Sequence, residues 1–387
     1  MKVLHVGKFY PPARGGMERV VQLLCEGERA HIDSSVLAAN DRPVTVRDEV
    51  HGVPVTRAAT LTTIGSVGVC PSFPLWMRRL PADVMVIHEP NPLALVAHAI
   101  ARPRARLVLW FHSEVVRPQW KYRVMYRPFL RRVLRLADRI VVASPRLAEF
   151  AEELKDFRHK CVPIPFGLDL TPLDLTDEVE RKVADIYAQH ASPLALFVGR
   201  MVPYKGVDIL LHALTDVDAR LVLVGDGPER AAWQQLAVDL GLQDRVHFLG
   251  EVVQTDLTAL YHACDFFVLP SVTRAEAFGM VQLEAMACGK PVISTLLPTG
   301  VPWVNRDGET GLVVQPQNVP ALRAALARLA RDAALRAEMG AQGRARVLAH
   351  FTVPRMIERT TTLYTSILAE PVASRRAALA DPAAGMR

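Results

Sequence analysis

The stretch of sequence that decides the fold runs from Glu276 to Ile293 and reads EAFGMVQLEAMACGKPVI. Glu276 lies in the loop that follows a predicted strand ending at Leu269. Gly279 permits a close backbone approach, and the helix that begins there presents unpaired N–H groups that favour an anion. Glu284 lies about one and a half turns into that helix. The two carboxylates are too far apart to share a proton, so they are placed to hold two ends of one extended ligand, with a phosphate between them.

Short apolar runs alternate with segments of helical length on both sides of this stretch. Each run is rich in β-branched residues and is followed by polar loop residues, as is typical of parallel strands buried on both faces. They cover 3–6, 84–87, 107–111 and 140–142 in the first half, and 194–198, 221–224, 246–249, 266–269 and 291–293 in the second. The sequence therefore predicts an α/β fold of two doubly wound, Rossmann-like domains that face each other across a ligand cleft.

Composition predicts where these domains begin and end. We expect an N-terminal domain over residues 1–170, a proline-containing linker over 171–192 and a C-terminal domain over 193–350. Residues 351–370 are predicted to form a helix that packs back on the N-terminal domain, and 371–387 have the composition of a flexible tail.

Composition also excludes several classes of protein. A chain of 387 residues that is 50% hydrophobic and 22% charged is too apolar for disorder and large enough for two or three cores. No run approaches the ~18 apolar residues of a membrane-spanning helix. The first residues also lack the apolar core of a signal peptide. The five cysteines are odd in number, widely spread and never paired as Cys-x-x-Cys, which indicates a reducing cytoplasm and argues against structural zinc.

The net charge of +6 is unevenly distributed. Residues 1–170 carry 25 Lys and Arg against 16 Asp and Glu, which gives +9, and the remaining residues carry 21 against 24, which gives −3. A basic half joined to a mildly acidic half indicates that one domain faces an anionic partner. Composition alone leaves nucleic acid, membrane and phosphorylated ligands open.

A second polar cluster directly follows the predicted strand 194–198 and reads GRMVPYKG, from Gly199 to Gly206. Arg200 and Lys205 are five residues apart on this strand-end loop, so both can reach a diphosphate. Arginine supplies a bidentate fork and lysine a point charge.

These two elements resemble the retaining glycosyltransferases of family 4, which share the two-domain GT-B fold. The Glu-x7-Glu element is a hallmark of that family, and the resemblance implies that Glu276 contacts the donor sugar and Glu284 the nucleotide ribose. It also implies that Arg200 and Lys205 neutralise the donor pyrophosphate and the charge that develops as the nucleoside diphosphate departs. Further donor-binding residues implied by these elements are Gly199, Phe278, Gly279, Met280 and Val281.

The resemblance extends to residues that follow other predicted strands. Gly15 and Gly16 resemble the glycine pair that lets backbone amides approach the donor phosphate. His112 matches the histidine near the donor hexose and the reacting face. Gly225 belongs to the Gly-Asp-Gly turn near the nucleotide, and Glu251 is expected near the base.

Residues 117–139 form a basic segment with eight Lys and Arg, one acid and several interleaved aromatic residues. Arg123, Arg127, Arg131 and Arg135 are spaced four apart and predict a basic helix face that docks on anionic lipid headgroups, each cation contributing ~1 kcal/mol. A solvated arginine-rich helix face is the alternative. Nucleic acid is disfavoured, because there is no recognised binding motif and the cations are not spread along a groove.

Residues 110–129 and 297–305 are most similar to polysaccharide and O-antigen mannosyltransferases. The resemblance implies transfer of a hexose with retention, with GDP-mannose the favoured donor and a glycan or polyprenyl-diphosphate-linked oligosaccharide the acceptor. It implies no required cofactor or metal, and a cytoplasmic enzyme held on the inner face of the cytoplasmic membrane.

Several alternatives stay open at the level of sequence. UDP-glucose or UDP-N-acetylglucosamine could replace the mannosyl donor, and a nucleotide-sugar epimerase shares the same fold. A non-enzymatic sugar-nucleotide-binding protein is disfavoured by the intact acidic and basic pairs. A dehydrogenase is disfavoured because Arg230 stands where the dinucleotide fingerprint needs its third glycine. The sequence makes no prediction of oligomeric state.

Overall fold

The apolar runs form the strands of two parallel sheets, each in its own compact unit. The computed structural model describes residues 1–13, 15–64, 67–114, 122–189 and 192–371, except for the side chains at 64, 67, 122, 123 and 189. Met1–Gly167 and the chain from Val353 onward form the first unit, and Leu168–Thr352 form the second. The chain therefore passes between units at 167/168 and at 352/353.

The first unit contains the N-terminal strands and the C-terminal helix. Its described strands are β1 (Lys2–Val6), β2 (Asp33–Ala39), β3 (Val46–Val50), β4 (Val53–Ala58), β5 (Thr62–Ile64), β6 (Val67–Val69), β7 (Val84–Glu89), β8 (Arg106–Phe111), β9 (Arg139–Val142) and β10 (Cys161–Pro163). Its described helices are α1 (Gly16–Glu28), α2 (Phe73–Arg79), α3 (Pro92–Ala101), a π-helix (Tyr122–Tyr126), α4 (Arg127–Leu136), α5 (Pro145–Phe150), a 3₁₀ helix (Glu152–Lys160) and the C-terminal helix (Val353–Ala369).

The main sheet of this unit has the order β10-β9-β8-β7-β1-β2-β4-β3 over the described strands. Its pairs are parallel except that β3 runs antiparallel to β4. The central strands β7 and β8 are buried along their whole length, which explains their continuous apolar sequence. Edge strand β3 is mostly exposed and charged, so no apolar run marks it in the sequence.

The C-terminal helix packs on α1 within the first unit. At Gly27 the Ile357 side chain approaches so closely that a Cβ would lie 1.9 Å from its Cδ1 atom. The buried residues of this helix are Met356, Thr360, Leu363, Tyr364 and Ile367. Of the predicted tail, 372–387 lie outside the described residues.

The second unit has a sheet of six described parallel strands in the order β13-β12-β11-β14-β15-β16. These are β11 (Leu194–Val198), β12 (Arg220–Val224), β13 (Val246–Gly250), β14 (Phe266–Leu269), β15 (Val292–Thr295) and β16 (Gly311–Val314). This 3-2-1-4-5-6 order is that of the Rossmann fold, which places the switch point between β11 and β14. The prediction of an α/β fold with two Rossmann-like domains is confirmed.

Helices connect the strands of this sheet. They are α6 (Asp177–Gln189), α7 (Val207–Leu214), α8 (Arg230–Asp239), α9 (Gln254–Ala263), α10 (Met280–Ala287), α11 (Val301–Val304), α12 (Val319–Arg331) and α13 (Ala333–His350), with short 3₁₀ helices at Thr171–Leu173 and Pro203–Lys205. The helical end of the second unit consists of α12 and α13, which are separated at Asp332.

The prediction of a linker over 171–192 is wrong, because most of this segment forms helix α6 of the second unit. The acidic residues Asp177, Glu178 and Glu180 lie in its first turn, where they complement the helix dipole. The helix packs on α9, and Lys182 pairs with Asp256 and, at 3.3 Å, with Glu178. The prolines that suggested a linker flank this helix and do not interrupt it.

Candidate functional site

The predicted donor-binding residues of the second unit lie at one edge of its sheet. Arg200 follows β11, Gly225 follows β12, Glu251 follows β13, and Glu276 lies in the loop after β14. Because the strands are parallel, their carboxyl ends share an edge, and ligands of such sheets bind outside that edge. The structure thus brings together residues that are up to 76 positions apart (200 to 276) in the sequence.

Lys205 and Glu276 form a buried ion pair at this edge. The Lys205 Nζ atom donates to Glu276 Oε2 at 2.6 Å, and the two residues are only 7% and 8% exposed. The Ser271 hydroxyl donates to the same carboxylate oxygen at 2.9 Å, and Thr295 holds the Ser271 backbone through a hydrogen bond to its carbonyl. The carboxylate thus orients the lysine, and an ammonium group has three N–H donors, so others remain for a ligand.

Arg200 is exposed on the loop after β11, in contrast to Lys205. Burial raises the pKa of the neighbouring Tyr204 above its ordinary value, and the charges of Lys205 and Arg200 offset part of that rise. The site therefore has one fixed and one exposed cation, the second able to approach a ligand from solvent.

Helix α10 begins at the same edge, directly after Gly279. Gly279 is its N-cap with φ of +73°, in the left-handed region that favours glycine. A Cβ there would lie 2.6 Å from the Leu269 Cδ2 atom. Met280 and Val281 open the helix, and the first N–H groups of a helix have no intrahelical partner. These amides are the groups that the sequence predicts to bind an anion.

The Phe278 side chain faces away from this element. It is buried and packs against Trp303 and Phe351, with ring centroids 6.4 and 6.2 Å apart. Its aromatic contacts fix the loop before α10, and only its backbone is left to meet a donor.

Glu284 accepts a hydrogen bond from the hydroxyl of the buried Tyr261 at 2.5 Å. Burial raises the pKa of the Glu284 carboxyl above its ordinary value, and the Tyr261 bond lowers it. The Tyr261 bond therefore fixes the orientation of the Glu284 side chain. Glu284 lies about a turn and a half into α10, whereas Glu276 lies in the loop before this helix. The two carboxylates have different partners, as their spacing predicts.

Gly225 and Gly199 bring two strand ends into close contact. Gly225 has φ of +120°, and a Cβ on it would lie 2.2 Å from the Gly199 carbonyl oxygen. The Gly225 N–H donates to the Gly250 carbonyl at 2.7 Å. The glycine at 225 is thus required by the packing of the loop that carries Arg200. Glu251, directly after Gly250, is exposed.

In the first unit, Gly15 is the N-cap of α1 and Gly16 its first residue, and both are exposed. They present helix-start amides without side chains, as predicted for a phosphate-approaching pair.

His112 directly follows β8 and is 6% exposed. Its ring stacks on Phe166 with centroids 5.3 Å apart and on Trp110 at 5.9 Å. Burial lowers the pKa of His112 to about 3, so the ring is neutral at physiological pH. Its Nε2 atom lies 3.0 Å from Nδ1 of His88. The sequence places His88 at a neighbouring strand end but does not predict this contact, which depends on the register of the two strands.

Comparison with known proteins identifies the family. Residues 14–171 match the family model Glycosyltransferase Family 4, and residues 179–346 match Glycosyl transferases group 1. The chain is 36% identical over 382 residues to the D-rhamnosyltransferase WbpZ of Pseudomonas aeruginosa, covering 97% of this chain and 98% of that protein. This chain is a family 4, group 1 glycosyltransferase.

Further relatives of this glycosyltransferase include mannosyltransferases. It is 33% identical to O-antigen chain mannosyltransferase C of Escherichia coli, covering 95% of this chain and 99% of that protein. It is 28% identical to a GDP-mannose-dependent alpha-(1-6)-phosphatidylinositol monomannoside mannosyltransferase of Mycolicibacterium smegmatis, covering 88% of this chain and 92% of that protein. The solved structure of Anabaena Alr3699/HepE in complex with UDP matches with a TM-score of 0.74 and 21% identity, covering 95% of this chain and all of that one. The fold of the glycosyltransferase is GT-B, as predicted.

The four arginines predicted to form one basic helix face of the glycosyltransferase do not all lie on the same helix. Only Arg127, Arg131 and Arg135 lie on α4, because residues 122–126 form a π-helix with a different turn. Arg127 pairs with the buried Glu153 at 3.0 Å, and Arg131 pairs with Asp156 at 2.6 Å. Arg135 is exposed, and the Arg123 side chain lies outside the described part of the chain. Two of the predicted lipid-binding cations therefore have protein partners.

No described helix combines the length and the apolar character needed to cross a bilayer. Among the residues that the structure describes, no group of three or more His, Cys, Asp and Glu side chains is arranged to hold a metal ion.

Proposed function

We propose that this glycosyltransferase transfers mannose from GDP-mannose, with retention of configuration, to a hydroxyl of a lipid-linked oligosaccharide or glycan in cell-surface polysaccharide synthesis. Two relatives named as mannosyltransferases support the sugar, and one of them is named as GDP-mannose-dependent. The relative named for the O-antigen chain supports polysaccharide synthesis as the setting.

The buried Lys205–Glu276 pair is the observation that carries the chemistry of the proposal. Glu276 is proposed to bind the donor sugar, while the remaining N–H groups of Lys205 and the guanidinium of Arg200 bind the diphosphate. Glu284, held by Tyr261, binds the ribose. Cations and helix amides that are already fixed stabilise the charge that develops on the leaving diphosphate, which is a large contribution in group transfer.

Retention is proposed to follow from attack on the same face as the departing group. The acceptor oxygen bonds to the anomeric carbon as the bond from that carbon to the phosphate oxygen breaks. The proton of the acceptor hydroxyl passes to an oxygen of the leaving diphosphate. This step needs neither a metal nor a cofactor.

A D-rhamnosyl donor is the second candidate, because the 36%-identical relative is named as a D-rhamnosyltransferase. D-rhamnose is the 6-deoxy form of D-mannose, so the two sugars share the rest of their hydroxyl pattern. The choice between them depends on a single hydroxyl group.

The direct test is the release of nucleoside diphosphate from a panel of GDP-mannose, GDP-D-rhamnose, UDP-glucose and UDP-N-acetylglucosamine, with and without a polyprenyl-diphosphate-linked acceptor. We expect GDP release from GDP-mannose that depends on the acceptor, and an α-linked product by NMR. Release of UDP alone would contradict the donor, and a β-linked product would contradict retention. Free sugar formed at full rate without acceptor would indicate an epimerase-type or hydrolytic enzyme.

We also propose that the π-helix and α4 dock the enzyme on an anionic membrane. Val124 and Met125 are 69% and 67% exposed, and the exposed Arg135 lies on the helix that follows. Apolar side chains beside cations are typical of surfaces that enter the headgroup region.

Replacing Arg131 and Arg135 together with glutamine is expected to weaken binding to phosphatidylglycerol-containing liposomes by about 30-fold in a sedimentation assay, because two cations at ~1 kcal/mol each together contribute about 2 kcal/mol. Arg127 is kept because it neutralises the buried Glu153. The matched control replaces Arg328 and Arg344, two exposed arginines of the second unit. Equal binding by both double variants would contradict membrane docking through α4.

A further inference from the structure

A row of hydrogen-bonded, buried side chains connects His112, directly after β8, to the carboxylate of Glu28, the last residue of α1. His112 Nε2 lies 3.0 Å from His88 Nδ1, His88 Nε2 lies 3.0 Å from His5 Nδ1, and His5 Nε2 lies 3.0 Å from Glu28 Oε2. Glu28, His5 and His88 are fully buried. We call these four residues the histidine relay.

The sheet itself creates this relay. Strands β1, β7 and β8 are neighbours, with His5 opposite Val86 and His88 opposite Trp110. Each histidine therefore lies two residues nearer the carboxyl edge than the histidine on the preceding strand. A step of two residues keeps side chains on one face of a sheet, so the three rings meet there, with successive centroids 5.3 Å apart.

The rings of the relay have few ways to arrange their protons. Burial lowers the pKa of His88 well below its ordinary value, with further lowering by His112 and His5, and burial also lowers the pKa of His112. A neutral imidazole has one N–H donor and one acceptor nitrogen. Rings that carry one N–H each can thus donate along the row in one of two directions, toward Glu28 or away from it.

Glu28 selects one direction. Its Oε2 atom already accepts a hydrogen bond from the Ser34 hydroxyl at 2.9 Å, and an ionised carboxylate can only accept. With one N–H on each ring, His5 then donates from Nε2 to Glu28, His88 from Nε2 to His5, and His112 from Nε2 to His88. We propose that Glu28, His5 and His88 are positioning residues that hold His112 as its Nε2–H tautomer, so that its Nδ1 atom offers a lone pair to a hydroxyl of the donor sugar.

The ring of His112 is fixed in orientation as well as in tautomer, because it stacks on both Phe166 and Trp110. A fixed acceptor favours a donor sugar with a hydroxyl at that point over one without it, since an unmade hydrogen bond in a buried site is costly. The contact with the sugar rests on the proposed function, whereas the tautomer does not.

The tautomer is measured in the free enzyme, labelled with ¹⁵N at histidine, by two-bond ¹H–¹⁵N NMR correlations. The signal of His112 is assigned by its loss in His112→Gln. We expect an unprotonated Nδ1 and a protonated Nε2. A protonated Nδ1 on His112 in the wild-type enzyme would overturn the proposal, and this result depends on no replacement of Glu28, His5 or His88.

Glu28→Met removes the terminal acceptor, so the row should reverse and His112 should acquire a proton on Nδ1. The kcat/KM for the donor should then fall about 10–100-fold, as for other orienting partners of a functional histidine. Glu28→Gln keeps an acceptor oxygen and should retain the wild-type tautomer. The matched control is Glu153→Met, which removes another buried glutamate of the same unit, outside the relay.

A folded Glu28→Met variant with the wild-type tautomer and wild-type kcat/KM would refute the relay. Failure of every nucleotide-sugar in the donor panel would instead refute the proposed function and leave the NMR result standing. The two proposals therefore fail separately.

Discussion

Replacing Lys205 with methionine is expected to lower kcat by about 10²–10³-fold, the usual effect of removing one fixed electrostatic group from a transfer site. The reason is that Lys205 is proposed to stabilise the leaving diphosphate. The same change leaves the Glu276 carboxylate buried without its cation, which is expected to lower the free energy of unfolding by about 3–5 kcal/mol. Steady-state kinetics and urea denaturation measure the two effects.

A double variant separates catalysis from stability. In Lys205→Met/Glu276→Leu the buried pair is replaced by apolar groups, which often restores stability. We expect most of the lost free energy of unfolding to return while kcat stays low. Recovery of both would mean that the pair is only structural. Lys182→Met is the control, because it removes a partly exposed lysine of the same unit that also pairs with acids.

Replacing Gly225 with alanine is expected to lower the free energy of unfolding by about 3 kcal/mol, at the upper end for strained backbone. The residue has φ of +120°, and the new Cβ would lie 2.2 Å from the Gly199 carbonyl oxygen, where only backbone can move. That backbone carries Arg200, so the KM for the donor should also rise several-fold. Denaturation and donor saturation curves measure these changes.

Gly241→Ala isolates the steric part of this effect. Gly241 also has a positive φ, +68°, but a Cβ there meets nothing within 4 Å. Its substitution should cost only about 1–2 kcal/mol of left-handed strain and leave the KM unchanged. Similar losses in the two variants would contradict the proposed contact between strand ends.

Local sequence was sufficient for the central parallel strands and for the strand-end positions of the proposed donor residues, but the predicted apolar runs did not include β2, β4, β10 and β16. Runs such as that of β8 are buried on both faces, so their apolar character is continuous and readable. Glu276, Gly279 and Glu284 lie within nine residues of one another, so their spacing along a loop and a helix follows from local geometry. The segment 171–192 was misjudged because its flanking prolines suggest a linker, whereas the burial of α6 against α9 depends on residues 70 positions away.

The sequence by itself determined the α/β class, the strand-end positions of the site residues and the family to which they belong, because these depend on local spacing and apolar pattern. Only the tertiary structure decided that Lys205 pairs with Glu276, that Arg127 and Arg131 pair with acids, and that His112 is the end of a histidine relay. The physical reason is that each of these contacts joins two elements that are distant in the sequence. Their relative register and packing cannot be predicted from a local sequence pattern. His5 and His88 meet only because β1 and β7 pair with Val3 opposite Val84.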